Sequence, residues 1–291
     1  MEDHIVKATA AGGTIRALAA VTTDIVREAK EVHSLSPLAS AALGRTLTAA
    51  AMMSRLLEGA RDTITIQIRG DGPLGGIVTV SDSKSNVRGY VYNPQVYLPL
   101  NQEGKFDVAG AVGKKGYLNV IRDLGLKEPY IGYVNLVSGE IGDDIAYYYA
   151  FSEQIPSVVA LGVLVDRDGS VLAAGGYIIQ LMPGADEETV PFLENRVASV
   201  PSVTKLLHEG KTPEDILSLL LGDKDLNMGE KSPCRYVCDC TRDRMERNII
   251  SLGKDEIRDI IREQHGAELV CHFCNRKYRF SEDDLLKLLE G

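Results

Sequence analysis

The sequence predicts an α+β protein in three parts: an N-terminal sheet domain with a buried long helix (residues 1–182), a helical linker region (183–230) and a small C-terminal domain (231–291). Three observations predict it. Ile64, Ile66 and Ile68 alternate with Thr63, Thr65 and Gln67, the period-two pattern of a half-buried strand, and similar runs recur through the first part. Between Ser36 and Gly59 only Arg45, Arg55 and Glu58 carry charge, so a helix there is apolar around most of its circumference and belongs inside the fold. All five cysteines lie beyond residue 233, in a stretch too short to hold a large core.

The elements follow in order. Residues 3–22 read as a β-hairpin around Gly12-Gly13, and residues 23–34 as a helix. Ser36-Pro37 opens the long helix, with Ser as N-cap and Pro at the first helical position, and Gly59 closes it. After the Ile64–Ile68 strand, Asp71-Gly72-Pro73 turns the chain and Ile77–Ser81 returns. Val87–Tyr92, Tyr117–Arg122 and Tyr130–Val137 read as further strands, and Asp143–Glu153 as a helix. Ser157–Val165 and Val171–Leu181 form a hairpin across Asp166–Gly169. The first arm is apolar on both faces and is expected to be a central strand.

Met182-Pro183-Gly184 breaks this pattern, and Asp186–Leu221 is helical in period. Thr212-Pro213-Glu214-Asp215 is a capping box ahead of Ile216-Leu217. Residues 183–230 hold ten acids and four bases, a net of −6. These short helices have narrow apolar faces and need something to pack against. Gly222–Glu230 reads as a linker. In the last part, helices near Thr241–Leu252 and Lys254–Gln264 separate two cysteine pairs. Strands Ala267–Val270 and Arg276–Phe280 flank the second pair, and Ser281–Asp284 caps a final helix.

Composition excludes several classes. A net charge of −9 repels nucleic acid and anionic membrane. The apolar runs are strand-length, as in Val158–Val165, so no membrane span is expected. Met-Glu-Asp-His at the start lacks a basic region followed by an apolar segment, so a cytoplasmic protein with reduced thiols is expected. Gly110–Lys115 has glycines and lysines without phosphate-loop spacing, and the five histidines are scattered, expected mostly exposed and outside any nucleophile motif, so neither ATP use nor catalysis is expected.

Cys238-Asp239-Cys240 and Cys271-His272-Phe273-Cys274 stand 30 residues apart. Two such pairs bring four thiolates to one point, and one Zn2+ per chain is the expected occupant, serving a structural clip or a redox switch. A disulfide across one intervening residue closes a small, strained ring that reduces easily. His272 lies inside the second pair but is not needed to complete a tetrahedron. Cys234 is a fifth thiol, expected to be inert.

With these cysteine pairs, the Ser36–Gly59 helix, the Gly70–Pro73 turn, Asn93-Pro94 and the Gly110–Gly116 segment, the chain resembles the thirty-three-kilodalton redox-regulated heat-shock chaperones over its whole length. The resemblance implies an ATP-independent holdase, not an enzyme. Its reduced form is zinc-bound through Cys238, Cys240, Cys271 and Cys274 and inactive. Oxidation is implied to form Cys238–Cys240 and Cys271–Cys274 disulfides, release the zinc and unfold the linker region. The active form is implied to be a homodimer that binds unfolded or aggregation-prone client proteins under oxidative stress. The alternative is a structural zinc ribbon that binds nucleic acid. Residues 231–291 hold twelve bases and twelve acids, which argues against it.

Overall fold

The computed structural model describes residues 1–290. Gly291, the last residue of the expected C-terminal part, lies outside the described residues. The chain packs into two compact units, Met1–Val237 and a small one that begins at Cys238.

The first unit contains two sheets. Strands β1 (His4–Ala10) and β2 (Ile15–Val21) form the expected hairpin through a tight turn in which Gly12 and Gly13 have φ of +63° and +94°. β2 pairs with β9 (Val171–Leu181), and β9 with β8 (Ser157–Val165). Strand β10 (Asn227–Pro233) adds to the free side of β1, giving the order β10-β1-β2-β9-β8. The second sheet has the order β11-β5-β4-β3-β6-β7. Its strands are β3 (Thr63–Gly70), β4 (Ile77–Asp82), β5 (Asn86–Val91), β6 (Gly116–Asp123), β7 (Tyr130–Asn135) and the short parallel β11 (Arg235–Tyr236).

Helix α2 (Pro37–Ser54) packs against both sheets. Its Leu43, Leu47 and Met52 share one core with Leu18 and Ile178 of the first sheet and Ile64, Ile66 and Leu118 of the second. Small residues make this sandwich tight. A Cβ on Gly44 would sit 2.8 Å from Val163 and 2.9 Å from Val26. Ser36 caps the helix by accepting from Ala39 N at 3.1 Å. The helix ends at Ser54, short of Gly59. The amides of Arg55, Leu56 and Leu57 bond back three residues, which tightens the chain out of the α form. Arg45, the one charge mid-helix, is ion-paired with Glu140.

Two sequence expectations are corrected. β8 is an edge strand, not a central one. It is apolar on both faces because helices cover both. α2 and α4 (Ile141–Phe151) lie on one side and α6 (Val203–His208) on the other. The stretch read as a linker, 222–230, runs into β10, whose sequence NMGEKSP has no apolar alternation because it is an exposed edge.

The helical region comprises α5 (Thr189–Ser199), α6 and α7 (Pro213–Leu221). It packs on the face of the first sheet opposite α2. Ile216, Leu217, Leu220 and Leu221 are fully buried against Val6, Ala17, Ala19 and Ile179. The capping box forms as expected, with Thr212 Oγ1 accepting from Asp215 N at 3.2 Å. His4, expected among exposed histidines, is 1 % exposed. Its Nε2 lies 3.3 Å from Glu214 of α7.

The second unit holds α8 (Arg242–Ile250), α9 (Lys254–Gln264), the hairpin β12 (Gly266–Val270)–β13 (Lys277–Ser281) and α10 (Glu282–Glu290). Its core is small: Met245, Ile249, Ile257, Phe280 and Leu285 pack with Cys240 and Cys271. So few apolar side chains leave stability to another source.

Candidate metal centre

The four paired cysteines converge. Their Sγ atoms all lie within 4.8 Å of one another, Cys238–Cys271 at 3.7 Å and Cys240–Cys274 at 3.3 Å. Four sulfurs around a zinc at about 2.3 Å would stand about 3.8 Å apart, so the observed spacings bracket a tetrahedral thiolate cage. The donors are soft and all sulfur, which suits zinc among the divalent ions. The four cysteines are positioned to hold a metal ion.

Local structure explains the convergence. Cys271 directly follows β12, and its amide donates to Arg276 O at 2.9 Å. The amides of Cys274 and Asn275 turn back onto Cys271 O, at 3.3 and 2.8 Å. Asn275 closes this knuckle with φ +54°, a conformation that Asn tolerates. Cys238 and Cys240 lie on the extended stretch before α8, whose N-cap is Thr241 (Arg244 N to Thr241 Oγ1, 3.2 Å). Asp239, between them, pairs with Arg244 at 3.2 Å.

The thiols differ in acidity. Burial opposes ionisation of Cys240, but hydrogen bonds from Tyr278 and the neighbouring thiols outweigh it and bring its pKa down to about 7. The Tyr278 hydroxyl lies 3.2 Å from Cys240 Sγ and 2.9 Å from Cys240 O. Cys238 and Cys274 are pushed up, chiefly by burial.

His272 is exposed and stands outside the sulfur set. Cys234 is also outside it. It is buried in the first unit, its Sγ 3.7 Å from Val21 O, and burial holds its pKa well above the usual thiol value. Two of the bases after the knuckle share one carboxylate. Lys277 and Arg279 face Glu268 at 3.2 and 2.9 Å, and Arg242 bonds Asp284 at 2.9 Å. Among the described residues no helix is long and apolar enough to cross a membrane. Sequence reasoning found the sulfurs but missed Tyr278, which only the hairpin pairing brings to Cys240.

Comparison with known proteins points one way. Residues 3–281 match the family described as Hsp33 protein. A 33 kDa chaperonin of Acetivibrio thermocellus is 64% identical over 290 residues, covering 100% of this chain and 98% of that protein. A 33 kDa chaperonin of Bacillus subtilis is 51% identical over 283 residues, 97% of each. The crystal structure of an Hsp33 homolog from Thermotoga maritima superposes with a TM-score of 0.92 at 42% identity, over 100% of this chain and 98% of that one.

Proposed function

The chain belongs to the Hsp33 family, a family of chaperones rather than enzymes, and we propose that it is a cytoplasmic, ATP-independent holdase switched by oxidation of Cys238, Cys240, Cys271 and Cys274. The observation that carries this reading is the convergence of four thiols in a unit whose own apolar core is small. A zinc ion, when bound, supplies the crosslink of that unit and keeps its ligands as thiolates, on the order of 10–16 kcal/mol of folding free energy.

Peroxide is the oxidant class. One thiolate attacks a peroxide oxygen and becomes a sulfenic acid as hydroxide leaves. The neighbouring thiolate then displaces the sulfenic oxygen as water once protonated, forming the disulfide. Each disulfide takes two electrons from sulfur and reduces one peroxide to two waters. Cys238–Cys240 and Cys271–Cys274 are the proposed pairs. Paired sulfurs are no longer thiolate donors, so the unit loses its crosslink.

The three-part division 1–182, 183–230 and 231–291 is retained as a functional proposal. The middle part, which immediately precedes the cysteine part in sequence, undocks from the first sheet. Undocking uncovers Val6, Ala17, Ala19 and Ile179, an apolar face suited to unfolded clients. The active form is a homodimer. The test is light scattering of a chemically denatured client diluted into buffer with the protein before and after peroxide at elevated temperature. Suppression only after oxidation supports the switch. Equal suppression in both states, with reversible disulfides formed, leaves a structural clip.

A further inference from the structure

We propose that the notch between β1, β10 and the C-terminal end of α2 is a binding site for a small zwitterion, one that joins a phosphate or carboxylate to an ammonium. β10 carries a bulge here. Val6 pairs with Lys231 and Ala8 with Met228, so Gly229 and Glu230 together face Lys7 alone. Gly229 makes the close approach possible: a Cβ on it would sit 2.6 Å from Lys7 O. Such a bulge interrupts the ladder and re-aims the side chains beside it. The result is a cavity of about 260 Å3 lined by Lys7, Thr9, Arg55, Asn227, Glu230 and Ser232.

The fold itself uses little of this polar lining. Lys7 and Glu230 are exposed, and neither forms an ion pair among the described residues. The side chains of Thr9, Asn227 and Ser232 likewise hold no hydrogen bond among the described residues. Arg55 is fixed at both ends. Its amide closes α2 on Met52 O at 3.1 Å, and its Nη1 donates to Ser83 O at 2.8 Å. Its Nε and Nη2 remain available as donors. A guanidinium already held in place binds an anion at low entropic cost.

Size and charge select the occupant. Two cations against one acid make the notch a positive spot on a chain of net −9, so it draws an anion. Arg55 and Lys7 take the anionic end through charge-assisted hydrogen bonds. Glu230 repels a bare anion and pairs with an ammonium, so both ends of the ligand are read. At about 30 Å3 for each water-sized group, the cavity takes roughly nine non-hydrogen atoms. It falls below the roughly 300–1,000 Å3 of sites for larger ligands, which excludes a nucleotide. Lys7 and Arg55 belong to β1 and the end of α2, whereas Glu230, Asn227 and Ser232 belong to β10. A bound zwitterion therefore ties β10 to the elements beneath it and stabilises that docked arrangement.

The test is calorimetric titration of the reduced, zinc-loaded full chain with phosphoethanolamine and with β-alanine, each against its counterpart without the ammonium, ethyl phosphate and propionate. At least one zwitterion is expected to bind more tightly than its counterpart, and the tighter of the two identifies the anionic end as phosphate or carboxylate. Lys7→Gln weakens it roughly tenfold. Glu230→Gln, nearly isosteric, removes the preference for the ammonium and strengthens the plain anion, a change of selectivity that loss of folding cannot produce. Hydrogen exchange places the ligand: the amides of residues 227–232 slow at saturation. The inference is overturned if none of the four compounds binds at millimolar concentration, if each zwitterion binds no better than its counterpart, if both variants bind as the parent does, or if exchange in β10 is unchanged at saturation. These readouts report binding and not client protection, so the failure of the holdase reading would leave them standing, and their failure would leave that reading untouched.

Discussion

Shortening one leucine of α7 should turn the chaperone on without oxidant. Leu220 is fully buried, as are Ile216, Leu217 and Leu221. Burying four such side chains contributes about 6–12 kcal/mol, at about 1.5–3 each. Leu220→Ala removes about 2–5 kcal/mol through lost transfer energy and the cavity left behind. At the middle of these ranges about a third of the docking energy of this helix is then gone, while the sulfur site is untouched. The assay is client light scattering with the reduced, zinc-loaded variant, alongside urea unfolding to verify the stability loss. The expected result is suppression approaching that of the oxidised parent. Leu219→Ala is the control, since Leu219 is 41% exposed on the same helix and its truncation should leave the reduced protein inactive. If Leu220→Ala lowers the unfolding midpoint as expected yet scatters like the reduced parent, docking of α7 is not what holds activity off.

Further outcomes follow from single sites. Asp3 is buried, its Oδ2 accepts from Ile25 N at 2.8 Å, and its Oδ1 has no hydrogen-bond partner. Burial, opposed by the amides at the start of helix α1 (Thr23–His33), raises its pKa from 3.8 to about 6. Its stabilising contribution is therefore full below about pH 4 and lost as pH rises to about 6, on the order of 3 kcal/mol. Asp3→Asn should be the more stable chain at pH 7.5 and lose that advantage at pH 4; parallel urea-unfolding curves across this range would contradict it. Cys240→Ser should drop bound zinc from one equivalent to a small fraction and unfold the second unit, read by metal analysis and hydrogen exchange. Cys234→Ser should leave the zinc equivalent unchanged but cost about 1–3 kcal/mol, because a hydroxyl replaces a thiol in a buried site; a fall in bound metal would make Cys234 a ligand.

What the sequence revealed was local. The N-cap at Ser36, the capping box at Thr212 and the turn at Gly12-Gly13 all write their geometry into a few adjacent residues, and each formed as expected. The cysteine pairs were legible because metal ligands cluster in sequence as well as in space. Pairing across long distances was not legible. Apolar residues on both faces of Ser157–Val165 report coverage by helices, not the presence of strand neighbours, so an edge strand read as a central one. β10 was hidden because an exposed edge needs hydrogen bonds and not apolar side chains. Tyr278 reaches Cys240 only through the β12–β13 register.

The placement of α2 has a consequence for how the first unit comes apart. Both sheets pack on this one helix, and α1 and α4 complete the interior that the two sheets share. Losing α2 would strip both sheets at once, so neither is a separable foldon. The helices on the opposite face of the first sheet can depart without disturbing that shared interior. The architecture thus sets a detachable layer on a cooperative block, and the amides of Leu43 and Leu47 belong to the last part of the unit to exchange with solvent.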